Sequence, residues 1–339
     1  SSLNLEKYDE WKDDPDMIKD VMRFLDNVLS DFIDKAPDQF KDAKYSAERE
    51  RSVGLGVMGF HSFLQKNRIP LESVMAKSWN KKILKQIDKD GRDRTAVCCL
   101  SSLNLEKYDE WKDDPDMIND VMKFLDNVLS DFINKAPDQF KDAKYSAERE
   151  RSVGLGVMGF HSFLQKNSIP LESIMAKSWN KKIFKQIDEQ VNQASKDLAE
   201  ERGACPDAEE YGYQERFSNK TAIAPTASIS IICGGASPGV EPIAANSYTH
   251  KTLSGSFNVR NRYLEEILDG HGKNDDETWS TITTNQGSVS HLDFLTDLEK
   301  DVFKTAFELN QKWIIELSGD RTPFISQAQS VNLFLPADV

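Results

Sequence analysis

Cysteine is scarce in this sequence. Only Cys98, Cys99, Cys205 and Cys233 occur in 339 residues, far too few for a secreted disulfide scaffold. There is no CxxC and no cysteine–histidine cluster, which removes the common zinc spacings. Histidine is equally sparse. His61, His161, His250, His271 and His291 form no HExxH or other ligand-spaced group, so no metal site is expected. Long apolar runs are also missing, which argues against a membrane-spanning helix. The opening SSLNLEKYDEW lacks the basic and then apolar profile of a secretory signal, so the cytoplasm is the expected location. It also lacks an initiator Met, as a processed terminus or an unnatural start would. Basic charge is in deficit: 43 Lys plus Arg stand against 56 Asp plus Glu, a net charge of -13. That balance favours solubility and excludes broad nucleic-acid binding. It leaves room for a local anion site built from backbone N–H groups.

What the sequence does contain is a repeat. SSLNLEKYDEWKDDPDM begins at Ser1 and again at Ser101, and residues 1–88 match 101–188. Six positions differ: Lys19/Asn119, Arg23/Lys123, Asp34/Asn134, Arg68/Ser168, Val74/Ile174 and Leu84/Phe184. Solenoid units are shorter and tuned to stack on one another. One long, nearly perfect copy reads instead as a duplicated gene segment. The copies diverge at residue 89. The second continues as EQVNQASKDLAEERGAC, where Ile183, Ile187, Val191 and Leu198 share one helical face and Gly203 sits where a C-cap belongs. The first runs into DKDGRDRTAVCCL, where Asp90 and Gly91 cut the helix short. The second copy therefore reads as integrated and the first as extra. The expected organisation is a mostly helical duplicate over 1–90 and then one larger domain over 91–339.

A coarse pass gives short buried strands alternating with helices, an α/β class. TAVCCLSSLNL over 95–105 reads as a buried strand. A helix comes next over 115–135, with Met117, Val121, Phe124, Val128 and Phe132 at three and four spacings. SAERERSVGLGVMGFHSFLQKN over 146–167 reads as one helix, charged and then glycine-rich. TAIAP over 221–225 reads as a strand, Tyr263 to Ile267 as a short helix, Leu292 to Leu317 as one or two helices, and SVNLFLPADV as a closing strand. Gly154, Gly156 and Gly159 make a GxGxxG spacing. No strand precedes it, so these glycines, like Gly54, Gly56 and Gly59, are read as close packing rather than a dinucleotide loop.

Several segments in order resemble one family. TAVCCLSSLNL is similar to the strand of the ribonucleotide reductase large subunit that carries one of two reducing cysteines. NKTAIAPTASISIICGGASPGVEP resembles that family's substrate-phosphate loop and the segment after it. RSVGLGVMGF, ERGACP and FISQAQSVNLFLP fit around them, and the resemblance covers 95–339, most closely in its class I form. It implies a fold that is the second half of a ten-stranded α/β barrel, helix-rich, with a duplicated helical segment. It also implies a parent reaction in which a thiyl radical removes the 3′ hydrogen of a ribonucleotide. Two further cysteines then supply electrons as the 2′ hydroxyl leaves, and become a disulfide.

On that resemblance Cys98 is the catalytic candidate, the second of the reducing pair; the bland alternative is a small buried hydrophobe. Cys99 faces the opposite way if both lie in a strand, and reads as packing. Pro225, Thr226, Ala227, Ser228, Ile229 and Ser230 are the implied substrate-phosphate loop, with Thr226 and Ser228 as the leading side-chain donors. Without the resemblance the same residues read as a Ser/Thr helix cap. Glu241 is a candidate for supporting the site, with an architectural role favoured. Cys205 and Cys233 read as structural.

The family's NxCxE finger loop, first reducing cysteine, radical-relay tyrosines and C-terminal cysteines are not in this sequence. The expectation is therefore an incomplete catalytic unit that binds no cofactor itself. Its parent would need a radical source, a small metal-bearing subunit or alternatively adenosylcobalamin, together with a thiol reductant and nucleotide effectors. The implied partners are a ribonucleotide substrate, a polypeptide supplying the missing first half, the radical-generating subunit and a second large subunit in a dimer. The competing expectation is a non-catalytic product of duplication.

Overall fold

The duplicated sequence folds into the same local motif twice. A computed structural model describes residues 2–37, 44, 47–48, 51, 53–87, 97, 99–252 and 255–335. In the first copy, β1 (Ser2–Asn4) leads to α1 (Met17–Lys35), β2 (Gly56–Met58), α2 (Phe60–Lys66) and α3 (Val74–Ile87). In the second, β3 (Cys99–Asn104) leads to α4 (Met117–Lys135), α5 (Lys141–Glu150), β4 (Val153–Met158), α6 (Phe160–Lys166) and α7 (Ile174–Arg202). β1 pairs with β2 in parallel with Leu3 opposite Val57, and β3 pairs with β4 with Leu103 opposite Val157. The turn leaving each first strand is fixed by an asparagine. Asn4 accepts from the Glu6 N–H and Asn104 from the Glu106 N–H, both at 3.0 Å. The Tyr8 hydroxyl reaches Gln86 at 3.0 Å and the Tyr108 hydroxyl reaches Gln186 at 2.6 Å. Each tyrosine meets a phenylalanine edge-on, Phe63 at 5.5 Å and Phe163 at 5.6 Å between centroids.

The chain divides into two compact units, Ser1–Ala96 with Asp138–Ser146, and Val97–Pro137 with Ala147–Val339. The first has a small core around Leu3, Leu5, Tyr8, Trp11, Phe63, Leu64 and Ile83. In the second, the same residue types open into a larger core that also takes in Ile223, Val240, Leu309 and Leu317. α7 carries much of that core. Its Ile183, Ile187, Val191 and Leu198 are all buried, and Gly203 ends it at φ +87°. The Asp90–Gly91 break expected in the first copy lies outside the described residues.

Two expectations are corrected. The first is the single helix over 146–167, which is instead α5, β4 and α6. β4 is buried at all six positions, as befits a parallel strand covered on both faces. A Cβ on Gly156 would sit 2.2 Å from the Ala222 carbonyl oxygen. Gly156 is therefore a packing position, but in a strand, whereas Gly54 in the first copy has open space around it. Gly159, at φ +78°, turns that strand into α6.

The second correction is the ten-stranded barrel. Among the described residues the sheets are three open two-stranded pairs: β1 with β2, β3 with β4, and the antiparallel hairpin β5 (Ser247–Thr252) with β6 (Gly255–Arg260). Closing a barrel requires every strand to pair on both edges. Here the TAIAP run contributes only isolated parallel bridges, Thr221 with Leu155 and Ile223 with Gln329. Residues 330–335 form no strand. The result is a helix-rich α/β fold with small open sheets. Short helices complete it: α8 (Pro206–Glu210), α9 (Ile229–Ile232), α10 (Arg262–Gly270), α11 (Asp276–Thr284), α12 (Asp297–Val302) and α13 (Gln311–Arg321). No helix of the described residues is long and apolar enough to cross a membrane.

Candidate functional site

The segment 224–241 is a loop clamped from three sides. The Ile223 N–H donates to Ala328 O at 3.0 Å, and the Ser330 N–H donates back to Ile223 O at 2.9 Å. These bonds hold the entry to the loop against 328–330. Thr226 comes after Pro225 with φ +49°, an uncommon backbone for a β-branched residue. The contact that holds it there is its own hydroxyl, which accepts from the Gly239 N–H at 2.6 Å. Thr226 O in turn accepts from the Ser230 N–H at 2.9 Å, and Ser230 O accepts from the Gly235 N–H at 3.0 Å. Thr226 and Ser230 are buried, whereas Pro225, Ala227, Ser228 and Ile229 are exposed.

The helix-cap reading of the loop fails at Ser228. This residue stands at the N-cap of α9, yet its side chain makes no capping bond. The N–H groups of Ala227, Ser228 and Ile229 have no partner among the described residues. A hydroxyl and three backbone donors thus stand together on an exposed turn, the donor chemistry an anion requires. The side chains of Thr226 and Ser228 are used differently. Thr226 is an internal clasp, and Ser228 faces outward.

The far side of the loop is tied to the second copy. Ser162 and Ser237 exchange bonds, each backbone N–H donating to the other's hydroxyl at 3.1 and 2.9 Å. The Gly159 N–H donates to Ser237 O at 2.7 Å. Asn104, at the end of β3, donates to Cys233 O at 3.3 Å. His161 is buried, and its Nδ1 accepts from the Ile243 N–H at 3.1 Å. Burial holds its pKa down at about 3, so the ring is neutral. The Tyr263 hydroxyl donates to the buried Glu106 carboxylate at 3.0 Å, and burial together with that negative charge pushes the phenol pKa up.

Cys98 lies outside the described residues. Cys99 is half-buried in β3, opposite Val153, and packs against the core. Cys205 is buried just before α8, where burial raises its thiol pKa. Cys233 is exposed at the end of α9. Glu241 is buried and accepts from Asn332 Nδ2 at 2.7 Å, so it joins the loop's exit to the 329–332 segment. Sequence reasoning missed Gly239, Ser237, Ser162 and Asn332. Each acts on a partner at least 13 residues away, and no local pattern marks such pairs. Among the described residues no group of three or more His, Cys, Asp or Glu comes together to hold a metal ion.

The family model described as "Ribonucleotide reductase, barrel domain" matches residues 1–91, 86–216 and 207–339. The chain belongs to the ribonucleotide reductase large-subunit family. Both copies of the repeat match the family model. Relatives include the ribonucleoside-diphosphate reductase large subunit of Invertebrate iridescent virus 6, 52% identical over 250 residues, covering 73% of this chain and 26% of that protein. The putative large subunit of Frog virus 3 is 42% identical over 247 residues, covering 72% of this chain and 43% of that protein. Among solved structures, the class Id ribonucleotide reductase alpha subunit of Actinobacillus ureae superposes with a TM-score of 0.66 at 32% identity, over 82% of this chain and 59% of that one. The chain thus spans about a quarter to two-fifths of the length of the curated relatives it matches.

Proposed function

We propose that this chain supplies the substrate-phosphate loop and one reducing thiol of a class I ribonucleoside-diphosphate reductase, and that it is catalytically incomplete alone. The reading is carried by the loop 225–230, where the exposed Ser228 and the unpartnered N–H groups of residues 227–229 lie on a turn locked by Thr226 and Gly239. Ser228 and these N–H groups receive the substrate phosphates. Thr226 holds the turn in shape, and Glu241, through Asn332, fixes where the loop ends. Cys98 is the reducing thiol. Its oxidation to a disulfide needs a second thiol within a few ångströms, which the first half of the large subunit provides. A metal-bearing small subunit supplies the radical, a dithiol reductant resets the cysteines, and the whole acts in the cytoplasm.

The test is CDP reduction with dithiothreitol and a matched radical-generating subunit, with and without a polypeptide carrying the missing first half and C-terminal segment. Activity in the mixture alone, lost in Cys98→Ser, is the expected result. Turnover by the chain alone, or none in a verified folded mixture, would reject the proposal.

A further inference from the structure

We propose that β2 and α2, in the first copy of the repeat, form a docking site for an extended polypeptide segment with the sequence pattern of residues 219–243, presented by another large-subunit chain.

The second copy shows what this surface holds. There β4 and α6 are covered by residues 219–243. The Val153 and Leu155 N–H groups donate to Asn219 O and Lys220 O at 3.0 and 2.9 Å. The Gly159 and Phe160 N–H groups donate to Ser237 O and Gly239 O at 2.7 and 3.3 Å. Ser162 exchanges its two bonds with Ser237, and His161 accepts from the Ile243 N–H. Gly156 admits the Ala222 carbonyl where a side chain would stand.

The first copy repeats every one of these groups, because none of the six differences falls between residues 53 and 65. It leaves them uncovered. Met58 is 54% exposed, whereas Met158 is 3% exposed. Gly56, His61 and Gln65 are exposed, whereas Gly156, His161 and Gln165 are buried. Among the described residues the N–H groups of Leu55, Gly59 and Phe60 have no partner, and β2 pairs only with β1.

Those groups select the occupant. A free strand edge takes an extended backbone by strand addition. Gly56 asks for a backbone carbonyl at closer range than any side chain permits. Ser62 asks for a serine that can return its bond, and His61 for a backbone N–H. Residues 219–243 supply all four in order. This chain's own segment is already held by the second copy, so the first copy is filled in trans. The first copy also lacks the continuation of α7, whose Ser195 accepts from the Arg216 and Phe217 N–H groups. The incoming segment must in addition be ordered as it binds. Binding to the first copy is therefore weaker than the hold of the second.

The probe is a fluorescein-labelled peptide of residues 217–246, titrated by anisotropy with the full chain from about 1 to about 200 µM. Saturable binding of one peptide per chain is expected, with a Kd of about 10–100 µM. Gly56→Val should weaken it about tenfold or more, and its exposed position leaves the circular dichroism spectrum unchanged. Ser62→Ala should weaken it several-fold, as should Ser237→Ala in the peptide, and the two changes together should cost little more than either alone. Both chain variants leave the second copy intact, so a peptide that merely displaces the chain's own segment would bind them as well as it binds the parent chain. That result would overturn the proposal. So would no binding up to about 200 µM, or equal binding of a peptide with the same residues in reversed order.

Discussion

Arg151 grips Asp126 with both Nε and Nη2, at 2.9 and 2.7 Å, and the carboxylate is almost sealed from water at 1% side-chain exposure. The identical pair in the first copy, Arg51 with Asp26 at 2.9 and 2.5 Å, is open, with side chains 40% and 53% exposed. Around Asp126 the second copy adds Arg202 and Arg216, from beyond the repeat. Burial alone would raise the Asp126 pKa. The bonds from Arg216 and Arg202 and the charge of Arg151 win, and lower it.

Asp126→Asn leaves three guanidiniums facing a weakened acceptor, so a loss of about 3–5 kcal/mol is expected. Asp26→Asn removes an exposed pair and should cost under about 1 kcal/mol. Calorimetry of the two variants beside the parent chain measures both. Equal losses would show that the surrounding arginines contribute nothing.

Gly156→Ala is expected to destabilise by about 1–3 kcal/mol or more. Its Cβ would meet the Ala222 carbonyl, a backbone atom that cannot swing aside. The matched Gly56→Ala lies on an exposed position and should change stability by less than about 0.5 kcal/mol. Urea denaturation midpoints separate the two.

His161 makes stability depend on pH. Its folded pKa is about 3, below an unfolded value near 6.5, so the unfolded chain takes up the proton first. The stabilisation is full above the unfolded pKa and is lost as pH falls towards the folded one. Between pH 7 and pH 5 about 2 kcal/mol should disappear. His161→Asn, which keeps an acceptor for the Ile243 N–H, should flatten that slope. A parallel slope in the variant would trace the effect to other groups.

Thr226→Val removes the acceptor for the Gly239 N–H. A cost of about 1–2 kcal/mol is expected, together with weaker nucleotide binding as the turn relaxes. Ser228→Ala, at an exposed hydroxyl with no protein partner at the cap, should weaken CDP binding several-fold and leave the melting temperature unchanged. Isothermal titration calorimetry and thermal melts on the same samples distinguish clasp from ligand.

Contiguous residues were enough to set the local motif. Identical strings gave identical strand registers, asparagine turns and tyrosine–phenylalanine contacts in both copies, because those contacts lie within the repeat. The buried face of α7 and the glycine at its end were legible from spacing alone. The family was legible from the resemblance of several contiguous segments. Long-range packing settled the rest. The glycine run could be a helix or a strand until the Ala222 backbone approached within a distance only glycine allows. The open sheets depend on partners that a strand pattern cannot supply. The same Asp, Arg, Gly and His are exposed in one copy and buried in the other, because burial is set by what packs against a residue and not by the residue itself.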